Sequence, residues 1–223
     1  MSHRRAALSV GAVLLATVTA CTPTAAQPAG DRAAGRSDPL PVGTGPQSSY
    51  TVQPQPAPGS CHYRYTADKQ PLPDPACTPG ATSPAVTQAN LRETVCKPGG
   101  YTSTVRPPAE ITGKEKAENA KAYGYTGPLS DAEFDHYVPL SLGGDPNDSR
   151  NLWVEPPSPD HIPGKGTLND KDLVETHLHS ALCKNQVTLT DAQKAIATDW
   201  TTAEATLGIR AAGTATGPVE TDS

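Results

Sequence analysis

The chain has 223 residues, with 18 Lys and Arg against 23 Asp and Glu, for a net charge of −5. That balance argues against a broad nucleic-acid-coating surface, which needs many Lys and Arg contacts to phosphate, but it leaves room for a local basic rim. Aromatic residues make up only 4 % and prolines number 24, so any packed core is modest and much of the chain is loop or tether.

A short basic head, His3, Arg4 and Arg5, precedes the apolar run AALSVGAVLLATVTA, which ends in small residues. This is the layout of a secretory leader, and the run is too short to span a bilayer. The leader carries two Arg and no acid, so its removal leaves the mature chain more acidic. Val18-Thr19-Ala20-Cys21 resembles a bacterial lipobox, which implies a signal peptide over 1–21. It also implies a lipidated Cys21 as the first mature residue, anchored to the outer face of the cell membrane without spanning it. An ordinary leader with an incidental Cys is the alternative. Residues 22–60 are rich in Pro, Gly, Ser, Thr, Ala and Gln, with almost no large apolar side chains. They are predicted to be a disordered tether, as is the tail over 209–223. One domain remains, 61–208, large enough to bury a core.

Cys61, Cys77, Cys96 and Cys183 lie in that domain with no Cys-x-x-Cys pair, so a four-Cys zinc site has little support. Export and an even count predict disulfides. Three pairings can be drawn. Cys61–Cys77 with Cys96–Cys183 is preferred, closing one local and one long loop, and the other two pairings stay open.

SPAVTQANLRETVC (83–96) is predicted as a short helix broken by Pro98-Gly99-Gly100. YTSTVR (101–106) alternates β-branched residues and predicts a strand. The stretch 110–124 predicts a helix, with Ala117, Ala120 and Ala122 inside it and Gly124 as its stop. Lys114, Lys116 and Lys121 make it the most basic part of the domain. EFDHYVPL (133–140) reads as a strand that Pro139 confines to an edge or an end. SLGGDPNDSR (141–150) is a loop, and NLWVE (151–155) a second strand. A helix follows over 168–183, with Val174, Leu178, Ala181 and Leu182 on one face and Asn169 or Asp170 as its cap. The last helix is predicted to open on a Thr190/Gln193 capping box and to carry Ala192, Ile196 and Trp200. Trp153 and Trp200 are expected in the core.

The order strand, loop, strand, helix places Asp135 and His136 at the end of one strand and Asn151 at the start of the next. Phosphodiester hydrolysis needs a base for water, a cation for the phosphate and leaving oxygen, and something to orient the base. Neighbouring residues of a regular strand point to opposite faces, so Asp135 and His136 can serve one site only by diverging at the strand end. Glu133 shares the side of Asp135.

DHYVP, the Gly-rich loop and NL resemble the ββα-metal core of HNH (His-Me finger) endonucleases. A longer likeness runs through LPDPACTPGA, TVCKPGGYTSTVRP, DHYVPLSLGG, NLWVEP, KDLVE and AQKAIATDW. It is to small secreted bacterial proteins with an HNH-like core and covers about 71–200. The resemblance implies an α+β fold with flanking helices and a nuclease outside the cell, a monomer acting on nucleic acid, DNA before RNA. It implies His136 as general base, Asp135 as metal ligand, and Asn151 as ligand or as the group steering His136. The helix His common in such cores is missing, because His177 and His179 lie too far along. Lys171, Asp172 and Glu175 occupy the early turns instead, as in versions of the core that use only Asp, His and Asn. Glu133, Asp172 and Glu175 are further candidate ligands and Lys171 a candidate phosphate contact. The hard oxygen donors imply Mg²⁺, or Mn²⁺, rather than zinc. Each residue also has a plainer reading. Asp135–His136 can be a surface pair, Asn151 a loop cap, Asp172 and Glu175 ordinary acids of a helix start, Lys171 a solvated side chain, and His177 and His179 surface histidines. With those readings the protein is a non-catalytic envelope lipoprotein using the frame as a binding scaffold.

Overall fold

A computed structural model describes residues 39–165 and 169–209 of the chain. The leader, Cys21, residues 22–38 of the expected tether and the tail from 210 lie outside the described residues. The regular elements are β1 (Arg64–Tyr65), β2 (Pro71–Leu72), α1 (Tyr101–Val105), α2 (Ala109–Ala122), β3 (Glu133–His136), β4 (Leu152–Glu155), α3 (Asp170–Cys183), α4 (Leu189–Thr198) and α5 (Ala203–Thr206). β1 pairs with β2 and β3 with β4, both antiparallel, so the class is α+β. No helix of the described residues is long and apolar enough to cross a membrane.

The β3–β4 ribbon is the hub. Glu133 pairs with Glu155, Phe134 with Val154, Asp135 with Trp153 and His136 with Leu152. Directly paired residues share a face, so Glu133, Asp135, Trp153 and Glu155 project from one side and Phe134, His136, Leu152 and Val154 from the other. α2 closes the β4 edge through Asn119, which is buried. Its Oδ1 accepts from the Val154 amide at 2.8 Å, and its Nδ2 donates to Leu152 O at 3.4 Å. Satisfying those strand groups removes an exposed edge. α3 packs against the other side of the unit, with Leu178, Ala181 and Leu182 in the core as the periodicity predicts. Trp153 and Trp200 are both buried, and Trp153 sits among Tyr63, Tyr123 and Tyr137.

The disulfides are Cys61–Cys77 and Cys96–Cys183. The second ties the end of α3 to the turns before α1.

Four expectations need correction. Within 101–106, expected as a strand, Tyr101–Val105 form a helix and Arg106 follows in an extended conformation. Gly99 and Gly100 take positive φ and redirect the chain, Ser103 and Thr104 hydroxyls donate back to Gly100 and Tyr101 carbonyls, and Pro107-Pro108 ends the helix at one turn. Residues 83–96 hold only a short 3-10 turn, Gln88–Asn90, with irregular turns up to Cys96, because the Asn90 side chain bonds the backbone at Thr87 and Ala85. α4 starts at Leu189 on a Thr188 cap, and Gln193 turns inward to donate to Leu142 O at 2.8 Å. Residues 39–60 are not loose. Gly43 N–H reaches Thr82 O at 2.9 Å, Tyr50 OH reaches Val105 O at 2.6 Å, Gln53 N–H reaches Glu115 Oε1 at 2.7 Å, and Gly59 N–H reaches Lys121 O at 2.9 Å. Leu40 packs against the core, and the rest of a segment with few large apolar residues is held by spaced hydrogen bonds, which composition does not display.

Candidate functional site

The loop between β3 and β4 is built around its glycines and two buried polar residues. Gly143 has a φ of +72°, and a Cβ on Gly144 would lie 1.7 Å from Val138 O, so neither position admits a side chain. Asp145 Oδ1 accepts from the Asn147 and Asp148 amides at 3.0 and 2.9 Å, and Oδ2 from the Gly45 amide at 2.6 Å. Asn151 is 0 % exposed. Its Oδ1 accepts from Val138 N at 2.9 Å and Ala81 N at 3.2 Å, and its Nδ2 donates to Asp145 O at 2.9 Å and Val138 O at 3.0 Å. Every side-chain polar group of Asn151 is therefore engaged with backbone. It clamps the loop to the end of β3 and offers no oxygen to a metal.

Asp135 and His136 diverge to opposite faces of the ribbon. On the α3 side, Asp135 Oδ2 meets Lys171 Nζ at 2.8 Å and accepts from Trp153 Nε1 at 3.1 Å. Lys171 is 1 % exposed, and its ammonium also pairs with Glu175 at 2.5 Å and donates to His136 O at 3.2 Å. Three donors and three partners leave nothing for a phosphate, so Lys171 is not the phosphate contact expected of it. Asp172 accepts from the Asn169 amide at 2.8 Å, completing the capping box of α3. Glu133 and Glu155 lie beside these groups, and Glu155 Oε1 is buried without a hydrogen-bond partner among the described residues.

The electrostatics follow from that crowding. Burial would lift the Asp135 carboxyl, but the Lys171 charge and hydrogen bond outweigh it and hold it below its usual value. Lys171 is disfavoured by burial, yet Asp135, Glu175 and Glu155 push it well above the ordinary lysine range. With one ammonium shared among them, the other acids rise: Glu133 to about 8 through burial and Asp135, and Glu175 to about 7 through burial, despite the pull of Lys171. Glu155 is raised well above the usual range by burial and then by Asp135, and Asp172 is raised by burial.

The implied divalent ion does not fit this donor set. Asn151 is consumed, Asp135 is ion-paired, and the cation between Asp135 and Glu175 is the lysine itself. Among the described residues, the group whose ligand atoms all lie within 4.8 Å of one another is Cys96, His179 and Cys183. Both cysteines are in a disulfide and His179 Nε2 is bonded to Val95 O, so that group supplies no thiolate while the bond holds. His177 pairs with Glu204, so the two α3 histidines are fastenings to α5 and to the Cys96 segment rather than free surface groups.

His136 is 6 % exposed and points to the other side. Its Nε2 lies 3.0 Å from Pro146 O. A carbonyl only accepts, so the neutral ring carries its proton on Nε2 and keeps the Nδ1 lone pair. Burial lowers its pKa to about 4 against the opposing pull of the Pro146 carbonyl and Asp135, so the ring is neutral near pH 7. His136 lines a small cavity with Arg106, Pro107, Ala109, Thr112 and Phe134. The sequence reading passed over Arg106, which lies outside the strand–loop–strand pattern. It also passed over Asp145 and Glu155, whose roles come from partners distant in sequence.

No protein-family model, curated protein or solved structure matches this chain.

Proposed function

We propose that the protein is a phosphodiesterase of the HNH type acting outside the cell on nucleic acid, DNA before RNA, with His136 as its general base. The observation that carries this reading is the His136 ring, pinned at Nε2 by the Pro146 carbonyl and neutral, beside a cavity that also bears a cation. A base held in one tautomer by a rigid loop is prepared to take a proton from water as it attacks phosphorus; the bond to the leaving sugar oxygen breaks, and that oxygen takes its proton from bulk water. The strand–loop–strand–helix order and the resemblance around DHYVP support it further. The assignments that change are Asp135, Asn151 and Mg²⁺. Asp135 and Asn151 position the loop and ribbon, and no step runs through a divalent ion. Export with lipid anchoring at Cys21 belongs to the same proposal, supported by the two disulfides, which persist in oxidising compartments.

The test is cleavage of a supercoiled plasmid and of a structured RNA by the full-length chain beside His136→Ala. Loss of cutting in the variant, with an unchanged melting temperature, supports the reading. Equal cutting by both proteins refutes it.

The scaffold reading is favoured by one observation, the complete internal satisfaction of Asn151 and Lys171, which leaves those residues with structural work alone. It predicts that neither nucleic acid is cut under any condition.

A further inference from the structure

The cavity beside His136 has a composition of its own. It encloses about 200 Å³ and no carboxylate lines it. Drug-sized or whole-nucleotide ligands usually occupy pockets of about 300–1,000 Å³, so this one takes a single group of a larger molecule and leaves the rest outside. Arg106 takes part in none of the ion pairs of the described residues, and its side chain is exposed at the rim. It follows Val105 at the end of α1 and precedes Pro107-Pro108, so its backbone is fixed in an extended conformation.

The first turn of α2 opens on the same cavity through Ala109 and Thr112. The amides of Ile111 and Thr112 are given to Pro108 O, which leaves those of Ala109 and Glu110 as the unmatched donors of the helix start. Glu110, the acid of that turn, does not line the cavity. The wall therefore combines a guanidinium, a helix start and a hydroxyl with an apolar side, Phe134. The nine-tenths-buried His136 is aimed into it, with no hydrogen-bond partner for Nδ1 among the described residues.

We infer that this cavity binds one phosphodiester group of a nucleic-acid strand, with the Arg106 guanidinium forked onto its non-bridging oxygens and the phosphorus held beside His136. A planar fork matches two phosphate oxygens where an ammonium gives a point contact, so Arg106 is the residue that sets the anion's orientation. The rest of the strand runs across the exposed surface of α1 and the α2 start. One contact of this kind suits a protein with net charge −5, which cannot hold nucleic acid by a broad basic face. The assignment rests on the phosphodiesterase reading for its substrate class, while binding can be measured apart from turnover.

The experiment measures binding of a fluorescent single-stranded DNA by the full-length chain across a salt series, for wild type, Arg106→Gln, Arg106→Lys and His136→Ala. Arg106→Gln is expected to weaken binding about tenfold or more and to lower the slope of log K against log salt by roughly 0.7, the loss of one phosphate contact to a single strand. Arg106→Lys should restore the slope but only part of the affinity, and His136→Ala should bind nearly as wild type. Where cleavage is seen, Arg106→Gln should raise KM more than it lowers kcat. Binding that depends on Arg106 without cleavage by wild type would retire the catalytic reading and keep the site. Cleavage with the same KM and salt slope in Arg106→Gln, or no binding by wild type, would overturn the site.

Discussion

Replacing Lys171 with Met keeps most of the side-chain volume and removes the ammonium. Asp135 then retains only the Trp153 hydrogen bond, Glu175 loses its 2.5 Å partner, and Glu133 and Glu155 lose the stabilising charge of Lys171. Removing one member of a buried ion pair costs about 3–5 kcal/mol, a large part of the ~5–15 kcal/mol that holds a domain folded. For a chain of this size each kcal/mol is worth about 2–4 °C, so the melting temperature should fall by roughly 6–20 °C. The sign with pH is fixed. In the wild type the Asp135 pKa lies below its unfolded value, so its stabilisation is present above that value and is lost as pH falls through the folded one. In Lys171→Met the stranded carboxyls titrate upward and contribute only at low pH, when protonated. The gap between the proteins should therefore be wide at pH 7 and narrow below about pH 4. Urea unfolding at pH 3, 5 and 7 measures it. A variant within about 1 kcal/mol of wild type at pH 7, or a gap that ignores pH, would refute the argument, since neither is compatible with a buried pair losing one partner.

Further outcomes follow from the same contacts. Glu133 and Glu175 are raised to about 8 and about 7, so they stabilise the fold below their unfolded values and lose that contribution as pH rises through those points. Melting temperature should drop between about pH 5 and about pH 8, and Glu133→Gln should flatten the drop. Asn151→Ala strands the buried Ala81 and Val138 amides, which at about 1–3 kcal/mol for each orphaned group predicts a loss of several kcal/mol in urea unfolding. A Mn²⁺ titration followed by calorimetry should give the same isotherm for Asn151→Ala as for wild type. The disulfides differ in the loop they close. Cys96→Ser with Cys183→Ser, across a separation of 87, should cost about 4–5 kcal/mol, and Cys61→Ser with Cys77→Ser, across 16, about 3 kcal/mol in the chain-entropy account, read from denaturant midpoints.

Sequence carried the frame better than the chemistry. β3, the loop, β4 and α3 were legible because alternation, turn residues and an i, i+4 apolar stripe are local signals. The preferred cysteine pairing is the one observed. The 101–106 segment was misread because Thr102, Ser103, Thr104 and Val105 satisfy either period, and the positive φ of Gly99 and Gly100 decides the outcome. The candidate site was misread for a different reason. Asp135, His136 and Asn151 are in the places their spacing predicts, but spacing does not say which atoms are already used. That Asn151 is consumed by Ala81 and Val138, and that Lys171 is drawn inside by Asp135 and Glu175, depends on contacts across the fold. The strap at 39–60 escaped notice because its anchors, Val105, Glu115 and Lys121, belong to other elements.

The central claim is that His136 works from one face of the ribbon while Lys171 supplies the cation of the other. The direct measurement is plasmid cleavage by the full-length wild type and His136→Ala, each in Mg²⁺ and in excess EDTA. The account predicts cleavage that survives EDTA and disappears in His136→Ala. Cleavage that requires Mg²⁺ would contradict it, because the cavity beside His136 offers no carboxylate to hold a divalent ion.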